Sequence, residues 1–383
     1  MTINNKYLLL FGFGGSQIIT MLALPVITNL YDPKAFGIYS YHMAILSFLG
    51  YIASFRLNLK LQLVESNEEI KNTCYLLAFI FSIVVFSSTL IIYNNIKLSI
   101  LYFLSVLFLN IFEINMDYSS SKGKYKEIAK SNILRVVIVV IIQIILYKLE
   151  YGLFIGFIFG LVISQVVIYS FNFIPRKIKF KNLDGKFMLK NTLISLISSS
   201  GSSIPLILVY NYASPLDAGL FSLADKLVLT LIVIMNNVVA RLIYNDLNSI
   251  ISPRLVFKYW VIKLLILSFF LGAIILTIPK SVFTLIFSKS WAISFQYLQS
   301  LLPWAFIQVI LIPLTCIYIK RGLEINLIKL EFFKNSLRLV MVIILYEINF
   351  STLDVMFISS IVTSIFALIV FFGSYKKNAH IFC

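Results

Sequence analysis

Runs of eighteen or more apolar residues recur from one end of the chain to the other, broken by short stretches that hold most of the charge. Each run is long enough to cross a ~30 Å hydrocarbon core as an α-helix, the form in which a segment satisfies its own backbone polar groups. The pattern predicts twelve spans, near 7–31, 36–56, 73–93, 97–120, 129–149, 152–174, 191–213, 219–243, 257–279, 295–319, 327–347 and 352–374. The expected fold class is therefore an all-α polytopic membrane protein. Composition agrees, with 60% of the 383 residues hydrophobic and 13% charged.

The formal net charge of +16 changes meaning in such a chain. It does not point to nucleic acid, because Lys and Arg gather in cytoplasmic loops of membrane proteins. With the N-terminus inside, the inner loops carry 24 basic residues and the outer loops 5. Lys320, Arg321, Lys329 and Lys334 fall in one of the inner loops. The asymmetry predicts both termini in the cytoplasm. The N-terminal run follows one Lys, shows no small-residue cleavage site, and reads as a first helix rather than a signal peptide. Cys74, Cys316 and Cys383 are scattered and suggest neither a metal site nor a disulfide framework.

The two halves repeat. Asn29–Ser40 reads NLYDPKAFGIYS and Asn211–Ser222 reads NYASPLDAGLFS, so Asn, Pro, Gly and Ser fall in step at 29/211, 33/215, 37/219 and 40/222. Each copy ends one apolar run, turns at a Pro and begins the next. Internal repeats are a feature of transporter folds. The expected organisation is an N-terminal six-helix lobe over 1–175, a basic cytoplasmic linker over 176–190, and a C-terminal six-helix lobe over 191–383. The basic linker doubles as an orientation signal that touches anionic lipid.

Polar groups inside the spans are the candidate chemistry. The first span of each lobe is interrupted by small and polar residues and then a Pro: Gly14, Gly15, Gln17 and Pro25 in span 1, Gly201 and Pro205 in span 7. Such interruptions mark hinges or cavity walls, or else close packing through small residues. In span 8, Ser222, Lys226, Thr230, Asn237 and Arg241 share one stripe, with Asp225 beside it. A cation at the bilayer centre costs at least ~2.5–3.5 kcal/mol, so this stripe should face water or an anion, unless Lys226 and Arg241 snorkel. Span 2 carries His42, Arg56 and Lys60 on one face. His42 reads equally as an ordinary packed histidine. Glu113 and Asp117, i,i+4 on span 4, are expected to pair with Arg135 or Lys130, the alternative being a proton or sodium site. There is no phosphate-binding Gly-Lys loop, no Cys/His cluster and no nucleophile elbow. No cofactor or metal is expected.

Twelve spans in two lobes, a first loop reading YDPKAFGIYS, FRLNLKLQLVESNEE after span 2 and ADKL early in span 8 resemble the flippases of the multidrug/oligosaccharidyl-lipid/polysaccharide (MOP) superfamily. The resemblance is closest to the Wzx-type O-antigen repeat-unit flippases. It implies a transporter rather than an enzyme, with a MATE-like fold in the bacterial inner membrane. It implies a cargo of undecaprenyl-diphosphate-linked oligosaccharide, moved to the periplasmic leaflet by alternating access through a cationic central cavity. Arg56 and Lys226 best match the family's basic positions, with Lys60, Arg241 and His42 near them. It also implies membrane lipid, a polysaccharide polymerase and a chain-length regulator as neighbours. Two rival readings remain: an O-antigen polymerase, which usually has a large outer loop that this chain lacks, and a cation-coupled multidrug exporter, which often has an acid in span 1 where this chain has none.

Overall fold

The computed structural model describes residues 3–63, 68–168, 184–249 and 253–377, all of it helix, turn and connecting chain, with no strand among the described residues. Arg176, Lys177, Lys179 and Lys181 of the expected linker lie outside them. In chain order the helices are α1 (Ile3–Leu30), α2 (Pro33–Ala53), α3 (Lys60–Leu63), α4 (Glu68–Tyr93), α5 (Ile96–Ser121), α6 (Tyr125–Ile145), α7 (Gly152–Ile168) and α8 (Gly185–Tyr212). They continue as α9 (Pro215–Ser249), α10 (Pro253–Thr277), α11 (Lys280–Phe287), α12 (Ser294–Ser300), α13 (Leu302–Ile310), α14 (Ile312–Lys320), α15 (Glu324–Glu347) and α16 (Thr352–Lys377).

Ten segments among the described residues are long and apolar enough to cross a membrane. The expected sixth and eleventh spans are not among them. The described part of the sixth, α7, has 17 residues. The eleventh, α15, carries Lys329, Glu331, Lys334 and Arg338 along its length. Two other spans depart from a simple rod. The tenth is divided into α12, α13 and α14, with a Pro in the first turn of each of the last two. Pro lacks an N–H and crowds the preceding turn, so the helix steps there instead of running straight. The second stops at Ala53 rather than Arg56. Phe55 and Arg56 take left-handed backbone angles (φ 46° and 52°), and a 3₁₀ turn over Leu57–Leu59 leads into α3.

The chain forms two compact units, whose boundaries fall between α1 and α2, inside α2 and inside α8. The first comprises Met1–Tyr31 with His42–Ser199, the second Asp32–Tyr41 with Ser200–Cys383. In the first, α6 packs against α1 and α7. Small residues permit this: a Cβ on Gly12 would lie 2.4 Å from Ala129 Cα, and one on Gly160 would lie 2.8 Å from the Arg135 carbonyl oxygen. A buried polar relay ties four helices of the unit. Tyr75 donates to Asn115 Oδ1 (2.5 Å), Asn115 to Gln165 Oε1 (2.7 Å), and Gln165 to Ser131 Oγ (3.4 Å). Around it pack Leu57, Leu61, Ile70, Cys74, Ile111 and Ile114.

The core of the second unit is built by α9, α10, α13 and α14, from residues such as Ile243, Val256, Leu264, Leu314 and Ile317. Trp291, from the 3₁₀ turn after α11, is fully buried and meets Phe36 edge-on, 5.3 Å between centroids. This turn and α11 occupy the stretch between the expected ninth and tenth spans.

Candidate functional site

The repeated motif is a contact as well as a repeat. Each copy starts a helix: Asp32 and Ser214 stand before Pro33 and Pro215, and their side chains accept from Ala35 N (2.7 Å) and Asp217 N (3.0 Å). One turn on, the two helices touch, all within the second unit. A Cβ on Gly37 would sit 1.8 Å from the Pro215 carbonyl oxygen, and one on Gly219 would sit 1.7 Å from the Pro33 carbonyl oxygen. No side chain fits at either place, so glycine is required in both copies for one steric reason. Ser222 then donates to Ser40 Oγ at 2.7 Å, with both serines buried. Duplicated residues therefore pair with their own counterparts, Gly with Gly and Ser with Ser.

Lys226 lies one turn beyond Ser222 on α9. Its ammonium stands over the rings of Phe36 (4.1 Å to the centroid) and Tyr39 (5.3 Å), a cation–π seat that substitutes for part of its lost hydration. Asp225, buried beside it, acts electrostatically on the Lys226 charge. Thr230 spends its hydroxyl on the Lys226 carbonyl (2.7 Å). Farther along the stripe, Asn237 and Arg241 are exposed.

The same unit holds two cations that sequence reasoning passed over. Lys334, counted above with a loop, is 2% exposed and bonds Glu331 (2.7 Å) and Gln308 (3.3 Å). Arg338, one turn on, is also 2% exposed and lies on the Trp304 ring, 4.8 Å from its centroid. A signal was available, since an i,i+4 pair of cations inside an expected span is costly and calls for a reason.

In the first unit, Arg56 follows the break after α2 and reaches two partners. It donates from Nε to Ser195 Oγ (2.9 Å) and from Nη1 to Glu113 Oε2 (3.1 Å), and its guanidinium covers Tyr51. Arg56 thus joins the expected pairing, since Arg135 also acts electrostatically on Glu113. Glu113 bonds Arg56, while Asp117 accepts from Asn58 and Gln62 (2.6 Å each). Arg135 also lies against Phe112, 4.6 Å from its centroid. The left-handed turn aims Arg56 back toward α5, which helical spacing could not foresee. Lys60, four residues on, opens α3 and is half-buried.

His42 is buried in an aromatic nest. Its Nδ1 is 2.7 Å from the Tyr102 hydroxyl, with Tyr93, Tyr102 and Phe154 rings around it. It belongs to the first unit and Lys226 to the second, so neither unit alone contains the whole predicted set. Gln17 is half-buried on α1.

Of the candidate hinges, Gly14 has open space around it, and Gly15 meets only Ile133, 4.0 Å from an added Cβ. Pro25 and Pro205 both lie inside continuous helices. A Cβ on Gly201 would meet the Asn335 side chain at 2.6 Å. No group of three or more His, Cys, Asp or Glu residues among the described residues could hold a metal ion.

No family model matches the sequence, and no curated protein does. Solved structures do match. The fold is that of the MATE transporters. An inward-facing MATE family multidrug resistance transporter of the MOP superfamily is 12% identical and superposes with a TM-score of 0.76 over 95% of each chain. An outward-facing MATE transporter gives 0.61 at 12% identity, over 98% of this chain and 94% of the other. A MOP superfamily transporter from Pyrococcus furiosus, whose binding pocket is described as of reverse polarity, gives 0.61 at 14% identity over the same shares. At these identities the likeness is one of fold.

Proposed function

We propose that this MATE-fold protein is a flippase. Its cargo is an undecaprenyl-diphosphate-linked O-antigen or related polysaccharide repeat unit, carried from the cytoplasmic to the periplasmic leaflet of a bacterial inner membrane. In this reading the chain crosses twelve times with both termini in the cytoplasm, and α15 with its charges is one of the crossings. The carrying observation is Lys226, a half-buried cation held over two aromatic rings within a membrane helix, in a chain whose first helix has no Asp or Glu. A cation exporter would gain from an acid there. An anionic head group gains from Lys226. Arg56 contributes on the same logic from the first unit, and Lys60 and Arg241 line the approaches.

The polyprenyl tail stays in lipid while the charged head needs a wet, cationic path. Two negative charges leaving an inside-negative cell gain roughly 4–5 kcal/mol at 100 mV, enough to bias transport outward. Membrane lipid, a polysaccharide polymerase and a chain-length regulator are the neighbours this role requires. The test is the fate of lipid-linked intermediates in a deletion strain. A flippase defect retains single repeat units on their carrier inside the cell. Surface lipopolysaccharide capped with one unit would identify a polymerase instead, and altered drug susceptibility with normal polysaccharide would identify a drug exporter.

A further inference from the structure

Pro205 has no N–H, so the carbonyl four residues earlier in α8, that of Gly201, loses its helical donor. The structure supplies a replacement from another helix. Arg338 Nη1 donates to the Gly201 carbonyl oxygen at 3.0 Å. Asn335, one turn before Arg338, bonds Ser200 Oγ at 3.4 Å and fills the space a side chain on residue 201 would take. The break in α8 is thus held by α15.

That bond uses one nitrogen of the guanidinium. The other two, Nε and Nη2, are buried with no partner among the described residues. A buried cation with two idle donors is expensive, and the aromatic face of Trp304 answers only its plane. Asp225 is near enough to act on the Arg338 charge, yet no hydrogen bond or ion pair joins them. Nε and Nη2 form the side edge of the guanidinium, whose two parallel N–H bonds match two oxygens of one oxyanion. Lys334, one turn earlier on α15, lies close enough to act on the Arg338 charge and is itself paired with Glu331 (2.7 Å).

We propose that the Nε/Nη2 edge of Arg338 is a binding site for one phosphoryl group, and that the same guanidinium joins that group to the break in α8. The choice of phosphoryl over carboxylate rests on the flippase reading. The seat itself rests on Arg338. A ligand that pulls the guanidinium pulls the Gly201 carbonyl with it, so binding reaches a weakened turn of α8 directly.

The full-length protein in detergent is titrated with inorganic diphosphate by calorimetry, and in nanodiscs with undecaprenyl diphosphate. Arg338→Gln alone strips the Gly201 carbonyl and risks unfolding, so it is combined with Pro205→Ala, which restores the helical N–H. The expected result is binding by wild type and P205A, and loss by roughly tenfold or more in P205A/R338Q, for free and lipid-linked diphosphate alike. Arg338→Lys, which keeps charge without the fork, should also weaken it. Wild-type affinity in folded P205A/R338Q, or no binding by wild type, overturns the site. If Arg338-dependent binding holds but the deletion strain retains no lipid-linked intermediate, the flippase reading falls and the oxyanion site stands. If the intermediate is retained and P205A/R338Q binds normally, the site falls and the flippase reading stands.

Discussion

Replacing Gly37 with Ala tests the crossing of α2 and α9. The added Cβ would lie 1.8 Å from the Pro215 carbonyl oxygen and 2.7 Å from Gly219 N, both backbone atoms. Real Cβ contacts do not fall below 3.0 Å, so the helices must part by more than about 1 Å. Overpacking of this kind costs roughly 1–3 kcal/mol or more. Ala also gains about 1 kcal/mol over Gly in a helix interior, which offsets part of the loss. Gly14→Ala isolates that gain, because nothing lies within 4 Å of its added Cβ. The expected order of stability, by equilibrium unfolding in detergent, is G14A at or above wild type and G37A and G219A below it. Since both glycines guard one contact, the double variant should lose less than the sum, by about 0.5–3 kcal/mol. G37A as stable as G14A, or strict additivity, would refute the close crossing.

Four further outcomes are expected. Lys226→Ala and Arg56→Ala should each impair polysaccharide export in complementation with expression intact, and normal surface polysaccharide from both would remove them from the site. Ser222→Ala should cost about 1 kcal/mol, and the Ser40→Ala/Ser222→Ala pair little more, because it leaves no buried hydroxyl orphaned; unfolding curves decide. Asn115→Leu removes the acceptor of the Tyr75 hydroxyl and the donor to Gln165, costing about 1–3 kcal/mol by the same measurement. In a Cys383→Ser background, the buried Cys74 and Cys316 should resist maleimide in folded protein, and rapid labelling of either would contradict their burial.

Hydropathy by itself determined most of the architecture. A helix that must satisfy its own backbone in lipid leaves an apolar run, and the run is legible without knowing its neighbours. The duplication was equally plain, since Asn, Pro, Gly and Ser stood in step across 182 residues. Spacing alone put Ser222, Lys226 and Thr230 on one stripe of α9, because 100° per residue fixes which side chains align on a helix. It could not say which helix that face would meet. Only the tertiary structure decided that Glu113 bonds Arg56, that Gly37 and Gly219 touch, and that Arg338 replaces the donor Pro205 removes. The physical reason is common to all three. A side chain's direction follows from its own helix, while its partner is set by how distant segments pack, and one left-handed turn at Arg56 is enough to redirect a charge.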